Sequence, residues 1–356
     1  MTALKTQHLE TAVAGARSMT DYIDRLITVE IRNQAMPHGK IAPLYDAARA
    51  EGGGEPLTLR AAAGLLENVG KGDVVLINTG AGSGELIPNG EDDGPVGAAV
   101  LARVLYRGLG ATPVYVCEEH HTAPIVASSE AAGVPVRGLD VVLRTRVGAA
   151  VVTTPPGQDS VPSWSEGLLD QVNPRAIIAV ERLGPNSMGV IHGATGIRSW
   201  QPLVDSSPLF EAAARRGVFS IGIGDAGNEI GFGRIRDDVR RIQDPWGHTC
   251  QCPCGGGMAT VVPADVLVVA AVSNWGAYGI EATLSLLLGR PNLPHTPETT
   301  RRILERCLEA GGIEAMFCTQ QFYCDGISGE NHMSIVRLLG EMVRVHLEDP
   351  TTGPIH

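Results

Sequence analysis

Apolar residues in this chain fall into short continuous runs separated by stretches of helical spacing. Val74–Ile77, Pro113–Cys117, Ala176–Val180, Val218–Ile221 and Val266–Ala271 are four to six residues long and rich in Val and Ile, the pattern of strands buried on both faces. Between and around them, Asp21–Ile31, Leu57–Val69, Val96–Leu109, Ala123–Ala132, Leu209–Arg216, Tyr278–Leu288, Glu298–Ala310 and Asn331–Leu347 are spaced as helices. Glu51–Pro56 reads as a loop, and Pro95 sits where a first helical residue needs no N–H. Strands alternating with helices predict an α/β fold: a mainly parallel or mixed sheet with helices on both faces. The expected organisation is one domain over 1–356, with a helical segment to residue 70 and an α/β core over 71–345.

In such sheets ligands collect beyond the carboxyl ends of the strands. The run Gly222–Gly233 (GIGDAGNEIGFG) leaves a strand and combines five glycines with Asp225, Asn228 and Glu229, so it has stopped building core. Glu91-Asp92-Asp93 precedes a helix, and three successive acids exceed what capping needs. Glu91 and Asp93 share one side of an extended segment, which suits joint coordination of a cation. Glu181-Arg182 ends another strand, as a surface pair or as a base beside a carboxylate clamp. His192 is a second acid–base candidate. Ser273-Asn274-Trp275 opens a helix, where backbone N–H groups can hold a carboxylate and Trp275 suits packing. His248, Cys250, Cys252 and Cys254 form an alternating group that departs from usual zinc spacing. It reads either as a zinc or redox site or as a loop with incidental thiols.

Charge and composition narrow the partners. With 28 basic against 39 acidic residues the chain carries −11, which argues against nucleic acid or an anionic membrane. No apolar run reaches the roughly 18 residues of a membrane span. Seven cysteines without a signal segment suit a reducing compartment, and the cytoplasm is expected. The glycines from Gly80 to Gly84 lack a nucleotide fingerprint: Glu85 stands at the third glycine position and no Gly-Lys-Ser/Thr follows, so no nucleotide cofactor is expected.

Taken together, Thr79–Ser83, Glu91–Gly97, Val180–Gly184, Gly222–Gly233, Ser273–Tyr278, Asp325-Gly326 and His332 resemble the D-glutamate cyclase family in order and spacing from about residue 70 to 345. The resemblance implies a lyase that closes D-glutamate to 5-oxo-D-proline with loss of water, and an acidic pocket that holds manganese or magnesium. Ala226 stands where glycine is expected, Phe232 where methionine is expected, and the cysteine loop 250–254 is outside the pattern.

Lactam formation needs a base for the ammonium, a cation to draw charge from the carboxylate, and an acid for the leaving oxygen. On that basis Glu91, Asp93, Asp225 and Glu229 are expected as metal ligands, and Glu181 or His192 as the base. Arg182 is expected to grip the α-carboxylate, with Gly82, Ser83, Asn228, Ser273, Asn274 and Trp275 against the substrate. The expected partner is a small amino diacid. A homo-oligomer is compatible with Trp246 and Phe322-Tyr323.

Overall fold

A computed structural model describes residues 3–31, 38–82, 84–198 and 203–348. Three helices come first: α1 (Ala3–Ile27), α2 (Ile41–Glu51) and α3 (Leu57–Asn68). The α/β alternation follows, with β1 (Val74–Thr79), α4 (Pro95–Val104), β2 (Thr112–Cys117), α5 (Thr122–Ala131), α6 (Leu139–Thr145), β3 (Ala150–Thr153) and α7 (Val161–Val172). It continues through β4 (Ala176–Val180), α8 (Ser207–Arg215), β5 (Phe219–Gly224), α9 (Arg236–Ile242), β6 (Val266–Val269) and α10 (Ser273–Leu287). Helix α11 (Pro297–Glu309), the short hairpin β7 (Tyr323–Cys324) and β8 (Ile327–Ser328), and α12 (Gly329–Leu347) close the chain.

The sheet is wholly parallel, in the order β3-β2-β1-β4-β5-β6. Successive side chains of one strand point to opposite faces. Accordingly Val75 and Ile77 enter one core, while Val74 and Leu76 enter another with Leu168, Leu169 and Phe210 of α7 and α8. This is why β1, β2 and β4 read as unbroken apolar runs. The first core is the larger, filled by α1, α3, α4 and α10.

The order reverses between β1 and β4, the switch point where parallel sheets open a crevice at their carboxyl ends. Dinucleotide-binding folds share this order, yet here Gly80 to Gly94 intervene between β1 and α4, so no helix opens at the glycine turn. Helix α1 starts far upstream of the expected Asp21, and β3, α2, α6, α7 and α9 add to the elements expected from spacing. Among the described residues no helix is long and apolar enough to cross a membrane.

The N-terminal helices are tied in by a buried carboxylate. Asp24 of α1 accepts from Leu57 N (2.6 Å), Thr58 N (3.2 Å) and Thr58 Oγ1 (2.5 Å) at the start of α3, and from Tyr45 Oη (3.0 Å) of α2. One side chain thus satisfies orphan donors of α3 and links three helices. Asp24→Ala leaves those donors buried and unmet, and is expected to lower stability by about 2 kcal/mol. An unchanged urea-unfolding midpoint would refute that role.

Candidate active site

Carboxylates beyond the ends of β1, β4 and β5 gather here, joined by polar residues beyond β6. Asp93 precedes α4, Glu181 follows β4, Asp225 follows β5, and Ser273-Asn274 follow β6. Carboxylate oxygens of Asp93, Glu181 and Asp225 lie within 4.8 Å of one another, and all three residues are buried. For Asp93, burial first and then the charges of Asp325 and Asp225 push the carboxyl well above the usual range. Burial, then Glu229, Asp225, Asp93 and Glu91, does the same to Glu181. Glu91 is raised by burial and then chiefly by Asp93 and Asp325.

Asp93 and Asn274 hold this centre in place by capping each other's helices. Asp93 Oδ2 accepts from Ser273 N (3.0 Å) and Oδ1 from Asn274 N (2.8 Å), at the start of α10. Asn274 Oδ1 in return accepts from Gly94 N (3.1 Å) and Gly97 N (2.5 Å), at the start of α4. Asn274 Nδ2 donates to Asp92 O (3.2 Å) and to Cys324 Sγ (3.3 Å). Both helix N-termini, with their partial positive charge, therefore converge on the carboxylates. Gly94, at φ +103°, permits this approach: a Cβ there would lie 2.8 Å from Thr79 Oγ1 and 3.1 Å from Glu181 Cβ. Glu181 itself has φ +44°, uncommon for a residue with a side chain, and its Oε2 accepts from Ser273 Oγ (2.5 Å).

Glu229 is placed differently from the other acids. Its Oε1 accepts from Asp225 N (2.8 Å) and Ala226 N (2.9 Å), and its Oε2 from Gly227 N (2.7 Å). It shapes its own loop and presents Asp225. Asn228 donates Nδ2 to His192 O (2.8 Å), while its Oδ1 is buried with no protein partner. Trp275 donates Nε1 to His332 Nδ1 (2.9 Å), which accepts because burial lowers that imidazole to about 4. Gly82 offers its carbonyl to His121 Nε2 (3.0 Å). Ser83 lies outside the described residues. Ala226 is buried beside Asp225, and Phe232 is fully buried in the core, close behind Gly224.

Arg182 and His192, expected as clamp and base, both have partners inside the fold. Arg182 is buried. Its NH1 and NH2 each meet a Glu118 oxygen at 2.7 Å, and the remaining N–H groups reach Gly80 O (2.9 Å), Val204 O (2.6 Å) and Ser206 Oγ (3.1 Å). Five guanidinium donors are thus matched to five bonds inside the fold. His192 Nδ1 faces Val190 O (3.1 Å) and its Nε2 faces Cys252 Sγ (3.3 Å).

Spacing missed Glu118 and His121, and the resemblance included Asp325 without giving it a role. Glu118 follows β2 and also accepts from Val204 N (2.7 Å), with His121 Nδ1 at 3.2 Å. Burial would raise its carboxyl, but the Arg182 charge and the hydrogen bonds of His121 and Arg182 outweigh it and hold Glu118 well below the usual range. Asp325, at φ +49° in the β7–β8 turn, adds charge to Asp93 and Glu91. The Asp-Gly turn was the available signal for it.

A doubly covered parallel sheet with carboxylates gathered at its carboxyl ends defines an α/β protein. Residues 46–340 match the family described as D-glutamate cyclase-like, C-terminal, and the chain belongs to that family. A stretch of 112 residues is 35% identical to the mitochondrial D-glutamate cyclase of Homo sapiens, covering 31% of this chain and 17% of that protein.

Removing Arg182 separates a structural from a substrate-binding role. Arg182→Met leaves Glu118 buried and unpaired, and an expected loss of about 3–5 kcal/mol follows, partly recovered by adding Glu118→Gln. Because the native Glu118 carboxyl is held low, the pair's stabilisation is complete above the unfolded carboxyl's pKa of about 4.3 and is lost as pH falls below it. Chemical denaturation of the three proteins between pH 3 and 7 measures this. Wild-type stability in Arg182→Met would return the arginine to the substrate-clamp role.

Proposed function

We propose that this protein is a lyase that cyclises D-glutamate to 5-oxo-D-proline and water with the help of a hard divalent cation. The observation that carries the reading is the buried trio Asp93, Glu181 and Asp225, taken with family membership. Its donors are all carboxylate oxygens, the set that suits magnesium or manganese. Burial and mutual repulsion push the carboxyls of Asp93 and Glu181 up, and a bound cation would favour their charged forms. Asp93 and Asp225 would hold the ion, and Glu91 and Asp325 would reinforce the field. When bound, such a cation supplies positive charge that attracts a substrate carboxylate and makes its carbon more electrophilic.

Glu181 would receive the proton that the substrate ammonium must lose, with Ser273 Oγ keeping its carboxylate turned to the site. Both protons leaving the nitrogen end on the departing γ-carboxylate oxygen, which leaves as water; the C–N bond forms as that C–O bond breaks. Holding nitrogen against carbon within one molecule supplies part of the rate by orientation, and no nucleotide is consumed. Asn228 Oδ1, buried and unmatched, is the proposed acceptor for a substrate N–H.

The test is turnover of D-glutamate, followed by 5-oxo-D-proline release and compared with L-glutamate and other amino diacids. Glu181→Gln and Asp225→Asn are expected to lower kcat/KM by about 10²–10⁴-fold. Chelation is expected to abolish turnover, and manganese or magnesium to restore it. Wild-type turnover in both variants would remove the site assignment. Turnover that survives exhaustive metal removal would remove the cation, and selective turnover of another diacid would redirect the substrate.

A further inference from the structure

The fold brings His192 to the three alternating cysteines, and we propose that Cys250, Cys252, Cys254 and His192 bind a structural zinc ion, separate from the acidic centre. All four ligand atoms lie within 4.8 Å of one another. Cys250 Sγ is 3.7 Å from Cys252 Sγ and 3.4 Å from Cys254 Sγ; His192 Nε2 is 3.3 Å from Cys252 Sγ and 3.7 Å from Cys254 Sγ. Zinc bonds of about 2.3 Å to sulfur and about 2.0–2.1 Å to nitrogen give a tetrahedron with edges of about 3.8 Å (S–S) and about 3.5 Å (S–N). The two S–N separations bracket the second edge, and the two S–S separations fall slightly short of the first. They are far from the roughly 2.05 Å of a disulfide, and the three thiols are free.

The surroundings are those of a ligand set. Val190 O accepts at His192 Nδ1, which puts the ring proton there and leaves the Nε2 lone pair facing the sulfurs. Asn186 Nδ2 and Gly256 N each donate to Cys254 Sγ at 3.4 Å, bonds that favour a thiolate. Gly255 and Gly257, at φ +66° and +73°, turn the chain back over the sulfurs. Three sulfurs and an imidazole select zinc over magnesium or manganese, and four protein ligands close the coordination sphere, so the role is structural.

The ion would cross-link the 250–257 loop to the turn carrying His192. That turn touches the acidic centre through its backbone, because Asn228 donates to His192 O (2.8 Å). The proposal does not depend on the substrate.

Metal analysis and cobalt substitution of the intact reduced protein test it. After zinc loading and gel filtration, elemental analysis is expected to find about one tightly held zinc per chain. Cobalt(II) in its place is expected to show thiolate-to-metal charge-transfer absorption and tetrahedral d–d bands. Cys252→Ser with Cys254→Ser is expected to lower retained zinc at least tenfold and reduce the Tm. Cys318→Ser, at an exposed cysteine outside the group, and Asp225→Asn are expected to retain zinc fully. Should the double variant fail to fold, the cobalt spectrum of the wild-type protein decides. Absence of retained zinc in the folded, reduced wild type, a cobalt spectrum without thiolate bands, or zinc retained by the double variant would each overturn the proposal.

Discussion

The exchange of caps between Asp93 and Asn274 is the constraint on which the centre depends. Each residue stands at the start of one helix and satisfies the orphan N–H groups of the other, so neither α4 nor α10 can begin correctly alone. The two helices are joined again by the buried Arg103–Glu281 pair (2.9 Å), with His295 also bonded to Glu281. Since α4 and α10 both pack on the sheet, their mutual registration sets Asp93 against the loops that leave β4 and β5.

A second buried arrangement supports the floor beside this one. Arg182 and Glu118 link the ends of β4 and β2, and Arg182 also gathers Gly80 from β1 and Val204 from the segment before α8. This pair is neutral overall and fully hydrogen-bonded, the condition under which buried charges are tolerated. The acidic trio beside it has no such balance. The sequence neighbours Glu181 and Arg182 thus serve opposite ends, one carrying the negative charge of the centre and the other completing a neutral brace.

What could be read in advance follows from the range over which each signal acts. Strands β1, β2 and β4 are covered on both faces and announce themselves as Val/Ile runs, and the proline at 95 marks α4. Strand β3 does not: it is a four-residue edge strand with one fully buried position. Helix α7 carries Pro162, Gly167 and several polar residues, so its apolar stripe of Val161, Leu168, Leu169 and Val172 is diluted. At the site, Asp93, Asp225 and Glu181 were legible because acids at strand ends have no core function. The partners of Arg182 and His192 were not legible, because Glu118 is 64 residues from the first and the nearest thiols are about as distant from the second. Local pattern identifies residues freed from packing; only the fold assigns their partners.

That separation also explains the strain retained at Glu181. A residue with a side chain at φ +44° costs on the order of 1–3 kcal/mol and persists only where its surroundings over-determine it. Here the backbone N of Glu181 bonds to Ile223 O (3.2 Å), the Arg182 carbonyl receives Ile230 N (2.8 Å), and Gly94 leaves room beneath the Cβ. A relaxed backbone would disturb the carboxylate that now approaches Asp93 and Asp225. Strained backbone, glycine clearance and repelling charges all disfavour the folded state, yet they occur together at one point of the sheet. Packing alone gives no reason for that coincidence, whereas the proposed site for a cation and an amino diacid would call for each of them.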